Sequence, residues 1–402
     1  MLLLDQLLFS GMSFLLTIFS SRYFDIYTFG IFASLVIGLY LLLSISQALI
    51  IQPMQIFLNR TENPLAYKGF LLKCLFGFIL VILLVSSILY SLEMNALSDF
   101  NDRIIAFVCY SIAFIMHDFF RKFFLSNDQI KDVLIIDFVA VFSQSILLCY
   151  LLFFVDGNLN LLLFGLFLAY IPALLIAFFK FPFSFWVGPQ RVFLNYHYKE
   201  GKWLFFMAIT QWFSNNLFVI FSGVFIGITA LAALRLGQTI FGILNIILQT
   251  VENYLIPYVN RLYAKSHQEG MHYLRKMSKG GFLIMLIFSI PFLFFSKSIM
   301  YWIGGKEYVI FHYVLKGLCL LYLVIFSAYP VRISMRILEL NKFFFIGYLI
   351  SLLISMIYFQ FLLSHFQLQG AIAGLILNQL IMLAVWQYTL TRKKFYLWKS
   401  YT

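Results

Sequence analysis

The stretch RLGQTIFGILNIILQTVEN, residues 235–253, decides the fold, because it is long enough to cross a bilayer and yet has one polar side. As a helix it would extend about 28 Å, close to the thickness of the hydrocarbon core. Its polar and charged residues are Arg235, Gln238, Asn245, Gln249, Glu252 and Asn253. At about 100° per residue they fall within an arc of about 100°. The pattern predicts a membrane-spanning helix whose polar face meets protein or water.

The composition of the whole chain is that of an integral membrane protein. Of its 402 residues, 63% are hydrophobic, 20% are aromatic and only 11% are charged. Soluble domains are about 45–50% apolar and about 25% charged, so a soluble core could not bury this excess. The apolar runs continue for about twenty residues without strand-like alternation, which excludes a transmembrane β-barrel. We therefore expect an all-α membrane protein.

Apolar runs separated by polar and basic segments predict about twelve membrane-spanning helices. They cover residues 2–21, 28–50, 69–92, 104–125, 133–155, 159–179, 203–225, 229–256, 280–300, 310–330, 343–363 and 369–390. The first run has no basic start and no small-residue cleavage site. We interpret it as a retained span rather than a signal peptide.

The longest connection between spans divides the chain into two halves that resemble each other. IFSSRYF at 18–24 is echoed by IFSGVFI at 220–226, and an even number of spans per half predicts a parallel repeat with a pseudo-twofold axis. The predicted organisation is an N-terminal six-helix bundle at 1–180, a cytoplasmic linker at 181–202, a C-terminal six-helix bundle at 203–390 and a basic cytoplasmic tail at 391–402.

Basic residues are divided unevenly between the two sets of loops. Of the 28 Lys and Arg residues, 22 lie in or beside the loops after even-numbered predicted spans or in the C-terminal tail. The positive-inside rule then predicts that both termini are cytoplasmic. The formal net charge of +12 is therefore a signal of topology and of contact with anionic lipid. It does not indicate nucleic acid as a partner, because the charge is spread over short loops.

Polar and basic side chains within the spans are the candidate binding residues, because lipid penalises them unless they face protein or water. A guanidinium suits phosphate oxygens in particular, which favours an anionic substrate. The predicted lumen-lining set is Arg235, Gln238, Asn245, Gln249, Lys316, Gln211 and Asn215. For Arg235 and Lys316, a side chain that reaches to the periplasmic headgroups is the structural alternative.

Several acidic residues lie near the predicted cytoplasmic side. Glu252 and Asp5 are the candidates for coupling to H⁺ or Na⁺, with an interfacial acid as the alternative for each. For Asp137 and Asp5 we favour the interpretation as interfacial acids. His117 is expected beside a charged loop at 117–122, where it is poorly placed for catalysis.

Motifs of several other function classes are absent from the sequence. It has no glycine-rich phosphate loop followed by Lys and Ser or Thr, so we do not expect ATP hydrolysis. It has neither HExxH nor GxSxG, and its four cysteines lie in apolar runs without metal-type spacing. We therefore expect no metal, no cofactor and no enzymatic activity.

Two stretches resemble a known family. DQLLFSGMSFLLTIFSSRYFDIYTFGIFAS at 5–34, followed by SQALIIQPM at 46–54, resembles the start of bacterial polysaccharide flippases of the O-antigen or capsule type. RLGQTIFGILNIILQTVENYLIPYVNR at 235–261 looks like the eighth-span block of the same group. These flippases belong to one superfamily with the multidrug and toxic-compound extrusion (MATE) exporters. Asp5 departs from the exporter pattern, since MATE exporters carry a functional acid deeper in the first span.

The resemblance implies two six-helix bundles that alternate between inward and outward openings. Such a protein moves a polyprenyl-pyrophosphate-linked oligosaccharide across the bacterial inner membrane for O-antigen or capsule assembly, with glycan-assembly proteins as potential partners. Two alternatives stay open. One is a small-molecule exporter of the same fold, which a cationic lumen disfavours for cationic drugs. The other is a membrane polysaccharide polymerase, ligase or acyltransferase, which the short external loops disfavour.

Overall fold

The computed structural model describes residues 2–58, 60–91, 98–182 and 190–396. Within these ranges it describes all side chains except those of residues 2–7, 98, 99, 246, 247, 249, 250, 253, 264 and 267. The described backbone consists of helices joined by turns and short loops, and no strand occurs in it.

Fourteen α-helices and two short helical segments of other types make up the described chain. The α-helices are α1 (Leu2–Tyr23), α2 (Ile26–Ser46), α3 (Gln52–Phe57), α4 (Pro64–Ser91), α5 (Ser98–Asn101), α6 (Ile104–Ser126), α7 (Ile130–Phe154), α8 (Leu159–Lys180), α9 (Gln190–Phe225), α10 (Ile228–Lys265), α11 (His267–Phe294), α12 (Ser296–Gly304), α13 (His312–Ile337) and α14 (Asn341–Arg392). A π-helical segment, Gln47–Ile51, joins α2 to α3, and a 3₁₀ segment, Lys306–Phe311, precedes α13.

The helix lengths agree with twelve membrane spans. Across the described ranges, ten helices are long and apolar enough to cross a membrane. One of them, α14, has 52 residues and would be about 78 Å long, more than twice the thickness of a bilayer core. Its backbone is non-helical at Gln367 (φ 49°, ψ −131°), which divides α14 into two spans. With the 22-residue α1 the number of spans becomes twelve.

Local chemistry sets several of the helix ends. The side chains of Asn158 and Ser266 accept hydrogen bonds from backbone N–H groups three residues later, and so cap α8 and α11. Gly227 has φ 129° between α9 and α10, a value that L side chains rarely adopt. These residues separate long apolar segments into individual helices.

The helices form two compact units. The first consists of Met1–Phe24 and Ile31–Ile209. Aromatic rings dominate its core, where Phe119, Phe123 and Phe124 are fully buried beside Phe181. The Phe123 and Phe181 ring centroids lie 4.5 Å apart. This aromatic packing fixes the C-terminal end of α6 against the C-terminal end of α8. The distribution of basic residues predicts that these ends are cytoplasmic.

The first thirteen residues of α9, residues 190–202, lie in the predicted linker and are helical instead. One face of this segment packs on the first unit through Phe193, His197 and Gly201, which recur every four residues. His197 Nδ1 lies 3.0 Å from the Leu49 carbonyl oxygen in the π-helical segment, and Nε2 lies 2.7 Å from the Tyr67 hydroxyl. Because a carbonyl only accepts, Nδ1 carries the proton and Tyr67 donates to Nε2. These contacts explain why the helix begins before the apolar run.

The second unit consists of Asp25–Gly30 and Thr210–Thr402, so the division lies within α9. In its core the Phe344 and Trp386 rings stack at 4.7 Å, with Tyr348 against both. A Cβ at Gly374 would lie 2.1 Å from the ring of Phe218, so only glycine permits this approach of α14 to α9.

The segment Asp25–Gly30 begins α2 and belongs to the second unit. The Ile26 N–H donates to Glu307 Oε2 at 2.8 Å. Asp25 accepts hydrogen bonds from the backbone N–H groups of Tyr27 and Thr28. Burial raises the pKa of Asp25, but the hydrogen bonds from Thr28 and Tyr27 outweigh it and lower the pKa below its ordinary value. The carboxylate therefore caps the N-terminus of α2.

Candidate functional site

Helix α10 carries most of the predicted lumen residues, and its packing shows which of its sides meets the rest of the second unit. Gly237 is buried, and a Cβ there would lie 2.7 Å from Leu318 and 3.2 Å from Val314 of α13. Arg235 and Gln238, on either side of this contact, are partly buried, and Asn245 is exposed. The side chain of Gln249 lies outside the described residues. The polar face of α10 therefore runs along the edge of its contact with α13.

Tyr322 of α13 lies opposite this polar face. The amide of Asn245 donates to the Tyr322 hydroxyl at 2.9 Å. Arg235 lies within electrostatic range of the same hydroxyl. The Tyr322 ring is 5% exposed and stacks on Phe241 at 4.8 Å, so the hydroxyl has a fixed position. Asn245 and Tyr322 thus form a fixed hydrogen-bonded pair, and Arg235 places a positive charge on the same face of α10.

The polar residues of α9 divide into two kinds. Gln211 donates to the Tyr348 hydroxyl at 3.1 Å, and is thus used in packing against α14. Ser214, 1% exposed, accepts at its backbone oxygen from the Asn378 amide at 2.6 Å. Asn215 is exposed. Of the two predicted lumen residues on this helix, Asn215 has the accessibility of a binding residue, and Gln211 also has a structural role.

Lys316 and Asp5 complete the predicted set. Lys316 is exposed on α13, between the positions that pack on α10 and those that pack on α14. The side chain of Asp5 lies outside the described residues.

Glu252, the other predicted coupling acid, lies in a cluster of charged and polar groups. It is 6% exposed. Its Oε1 lies 3.3 Å from Nε of Arg336, and its Oε2 lies 2.9 Å from the Tyr329 hydroxyl. An arginine and a tyrosine thus hold the carboxylate, both from α13.

The first unit contains a group of buried ionisable side chains that the sequence analysis misinterpreted. His117, Asp118, Arg121 and Asp137 are each at most 3% exposed. Arg121 Nε donates to Asp137 Oδ2 at 2.9 Å, and His117 Nε2 lies 3.3 Å from Asp137 Oδ1. We call these four residues the buried charge centre. The interpretation of Asp137 as an interfacial acid was therefore wrong. The loop expected at 117–122 was also wrong, because these residues belong to the continuous helix α6.

Aromatic and amide groups surround the buried charge centre. The Arg121 guanidinium lies 4.5 Å from the centroid of the Phe9 ring, and Gln47 of the π-helical segment donates to Asp118 at 3.4 Å. A small cavity beside His117 and Asp137 is also lined by Gln144 and Tyr170. The centre thus ties α1, α6, α7 and the π-helical segment together.

A sequence signal for this centre exists. His117 and Arg121 are four residues apart and so share a face of α6, and Asp137 lies two turns into α7. Buried charges are costly unless paired, so two opposite charges inside adjacent spans predict a pair. No cluster of three or more His, Cys, Asp or Glu side chains suited to a metal ion occurs in the described part of the chain.

Comparison with solved structures identifies the fold. The chain is similar to a multidrug resistance transporter of the MATE family in an inward-facing conformation, with TM-score 0.73 and 12% identity over 97% of this chain and 94% of that chain. It is similar to the lipid II flippase MurJ in an inward closed conformation, with TM-score 0.74 and 10% identity over 98% and 89% of the two chains. A MOP-superfamily transporter from Pyrococcus furiosus gives TM-score 0.63 and 12% identity over 98% and 95%. No family model and no curated protein matches the sequence.

These likenesses cover nearly the whole chain at identities of 10–12%. At that level they establish the fold, and the proteins that share it here are transporters and a flippase rather than enzymes. The predicted all-α architecture of about twelve spans in two bundles is confirmed. The chain is a multi-pass membrane protein with the fold of MATE transporters and of MurJ.

Proposed function

We propose that the protein translocates a polyprenyl-pyrophosphate-linked oligosaccharide across the bacterial inner membrane by alternating access, for O-antigen or capsule assembly. The observation that carries this proposal is the polar face of α10, where Asn245 donates to the Tyr322 hydroxyl and Arg235 lies within electrostatic range of the same hydroxyl. The fold shared with the flippase MurJ supports a lipid-linked substrate. The sequence resemblance to polysaccharide flippases supports the glycan.

The chemistry of the α10 face suits both parts of such a headgroup. A sugar that leaves water loses hydrogen bonds, and amides and hydroxyls replace them at little cost in free energy. Arg235 and Lys316 supply positive charge for the pyrophosphate, and a guanidinium binds phosphate oxygens with two parallel hydrogen bonds. Gln238, Asn245, Gln249, Gln211 and Asn215 supply amides for the sugars. The polyprenyl tail stays in lipid throughout.

Alternating access requires that the substrate bind both end states and that neither state hold it too tightly. Coupling to H⁺ or Na⁺ through Glu252 or Asp5 belongs to the same proposal. The distribution of Lys and Arg supports cytoplasmic termini, and hence loading from the cytoplasmic leaflet. Glycan-assembly proteins are the proposed partners on the two sides.

Export of a small molecule is the second candidate function, because the chain is equally similar to a multidrug resistance transporter. A polar face with an arginine suits anionic or neutral cargo and disfavours the organic cations that many exporters carry. The two functions differ in what a deletion strain loses.

The decisive experiment measures surface polysaccharide in a deletion strain that expresses each variant. Arg235→Ala should abolish surface glycan and cause lipid-linked oligosaccharide to accumulate, and Arg235→Lys should restore part of the display because it keeps the charge. Arg191→Ala is the matched control, since Arg191 is exposed at the start of α9 and lies outside the proposed path. Normal glycan in the Arg235→Ala strain would assign Arg235 to the headgroup region instead. Normal glycan in the deletion strain, with loss of drug efflux, would favour the exporter.

A further inference from the structure

Two arginines at the end of α13 form a positively charged surface that the proposed function does not use. Arg332 and Arg336 are one helical turn apart and so project from the same face. Their guanidinium carbons lie 5.8 and 5.6 Å from the centroid of the Phe344 ring. The side chain of Arg336 is 45% exposed, and Arg332 is partly buried. We call Arg332, Arg336 and Phe344 the arginine platform.

The ring at the centre of the platform has a fixed position. Phe344 stacks on Trp386 at 4.7 Å with an interplanar angle of 8°, and Trp386 Nε1 donates to the Phe344 carbonyl at 3.2 Å. A Cβ at Gly347 would lie 2.1 Å from Trp386 Nε1, so this corner of the second unit is closely packed. The two guanidiniums are therefore held near each other by a rigid support, which lowers the entropic cost of binding an anion.

The platform has more positive charge than its surroundings neutralise. Of the carboxylates that the structure describes, Glu252 is the one that forms an ion pair with it, at 3.3 Å from Arg336 Nε. Glu252 Oε1 accepts no hydrogen bond there, and the buried Arg332 Nε donates none to any described residue. Two guanidiniums and one carboxylate leave one positive charge and several N–H donors unused. A phosphate has the charge and the acceptor oxygens that these donors require.

The Tyr329 hydroxyl can either donate a hydrogen bond to Glu252 or accept one from it. The hydroxyl contacts the Leu248 carbonyl oxygen and lies 2.9 Å from Glu252 Oε2. A hydroxyl has one proton to donate, and a carbonyl oxygen only accepts. When Glu252 is ionised, Tyr329 donates to the carboxylate. When Glu252 is protonated, it donates to the Tyr329 oxygen, and Tyr329 donates to Leu248.

We propose that the arginine platform binds the phosphate group of a lipid headgroup, and that this phosphate displaces Glu252 from Arg336 and leaves Glu252 protonated. Glu252 is 6% exposed, so its carboxylate would be costly to keep ionised without Arg336. It takes one proton from solvent, and the Tyr329 hydroxyl turns from Glu252 to Leu248. The groups that face Glu252 from α13 are Tyr329, Arg332 and Arg336, and Phe344 of α14 supports both arginines. Binding of the phosphate and uptake of the proton are thereby coupled.

Two lipids offer this phosphate chemistry. One is the pyrophosphate of a lipid-linked oligosaccharide on its way into the transporter, and the other is the phosphodiester of a membrane phospholipid. The inference rests on the proposed function for the first source alone, because a phospholipid would bind whether or not oligosaccharide is moved. The bias of Lys and Arg places this end of α13 at the cytoplasmic leaflet, where both lipids are present.

The test is a calorimetric titration of the purified full-length protein with a water-soluble short-chain prenyl pyrophosphate. When the titration is repeated in buffers of different ionisation enthalpy, it measures both the affinity and the number of protons taken up. Arg332→Gln and Arg336→Gln should each weaken the binding that is coupled to proton uptake by about tenfold or more, and should leave binding at the separate site proposed around Arg235 unchanged. Glu252→Gln keeps the shape of the side chain and removes its charge. It should bind at least as tightly as wild type and take up about one proton fewer per ligand.

Arg392→Gln is the matched control, because Arg392 lies 5.0 Å from the Tyr388 ring at the end of α14 and has a similar aromatic contact. It should change neither affinity nor proton uptake. If Arg332→Gln and Arg336→Gln bind like Arg392→Gln, the site is overturned. If wild type and Glu252→Gln take up equal numbers of protons, the exchange is overturned. Arg336→Lys keeps the charge and controls for a folding defect. Its affinity for the prenyl pyrophosphate should lie between those of wild type and Arg336→Gln.

The two lipid sources are separated in nanodiscs. Competition from added phosphatidylglycerol against the prenyl pyrophosphate would identify a phospholipid site, and absence of competition would identify a site for the lipid-linked substrate. Both outcomes support phosphate binding at the platform. Neither depends on flipping, so a failure of the glycan experiment with Arg235 would leave this result unchanged.

Discussion

Replacement of Arg121 by methionine tests whether the buried charge centre stabilises the first unit. Methionine fills much of the volume of the arginine stem and removes the charge. It would leave the carboxylate of Asp137 in the interior, 3.3 Å from His117, without the guanidinium that now pairs with it. We therefore expect a large loss of stability.

The magnitude follows from the geometry. The side chains of Arg121 and Asp137 are 3% and 0% exposed, and Nε and Oδ2 are 2.9 Å apart. Removal of one partner from such a pair costs about 3–5 kcal/mol. Loss of the contact between Arg121 and the Phe9 ring adds about 1 kcal/mol, whereas protonation of His117 would recover part of the cost. We expect Arg121→Met to lower the free energy of unfolding by about 3 kcal/mol.

A double-mutant cycle separates the charge from the packing. Asp137→Leu alone should also destabilise, because it leaves Arg121 buried. Together, Arg121→Met and Asp137→Leu should recover most of the stability that either single change loses, since an apolar pair of similar volume replaces a buried ion pair at little cost. The recovery should be incomplete, because Arg121 also faces the buried Asp118. The coupling energy of the cycle should then exceed about 2 kcal/mol. Urea unfolding in detergent micelles, followed by circular dichroism, measures each value.

The pair of Lys180 with Asp132 is the matched control, because it joins α7 to α8 of the same unit with side chains 37% and 24% exposed. The same cycle there should give a coupling energy of less than about 1 kcal/mol. A cost below about 1 kcal/mol for Arg121→Met would refute the reasoning. The reasoning would also be refuted if the double variant lost as much free energy of unfolding as the two single variants lose in sum, because the two charges would then contribute independently.

Three further predictions concern other parts of the chain. A cysteine that replaces Asn245 should react with a water-soluble thiol reagent, and a cysteine that replaces Ile243 should not. Both positions are exposed on the protein surface, but we expect position 245 to face water and position 243 to face lipid. Gly374→Ala should cost about 1–3 kcal/mol in denaturant titrations by overpacking a buried ring, whereas Gly242→Ala, with open space around it, should cost nothing. Asp25→Ala should remove a cap worth about 1 kcal/mol. Because the pKa of Asp25 is lowered, that contribution is present above its unfolded value and lost as the pH falls below about 4.

The spans were predictable because hydrocarbon thickness and backbone hydrogen bonding leave few alternatives to a long apolar helix. The break predicted between 363 and 369 contains Gln367, where the backbone of α14 leaves the helical region. Hydropathy could not show that α9 begins at Gln190, because a helix that continues beyond the hydrocarbon core needs no apolar run. It could not show the π-helical segment Gln47–Ile51 either, since one additional residue per turn leaves no mark on composition.

The polar residues were harder to interpret than the spans, for a physical reason. A polar side chain inside a span can avoid lipid either by pairing with another polar side chain or by facing water. Both arrangements produce the same pattern of polar residues in the sequence. Asp137 and Asn378 take the first way, with Arg121 and Ser214. Asn215 is exposed instead. A single sequence places such a residue on a helix face but does not identify what lies opposite.

The difference between paired and exposed polar residues limits which of them could bind the proposed substrate. Groups that are buried and fully used in packing, such as Asn378, cannot exchange their hydrogen bonds for a ligand without loss of stability. Groups at the exposed edge of α10 and α13, such as Asn245 and Lys316, can exchange water for a ligand at little cost. Glu252 is intermediate between these two kinds of group. It is buried, but its charge partner Arg336 is half exposed. The two side chains form an ion pair in which Glu252 Oε1 accepts no hydrogen bond. A group of that kind can release its partner when a stronger anion arrives, as the lipid phosphate proposed above would require.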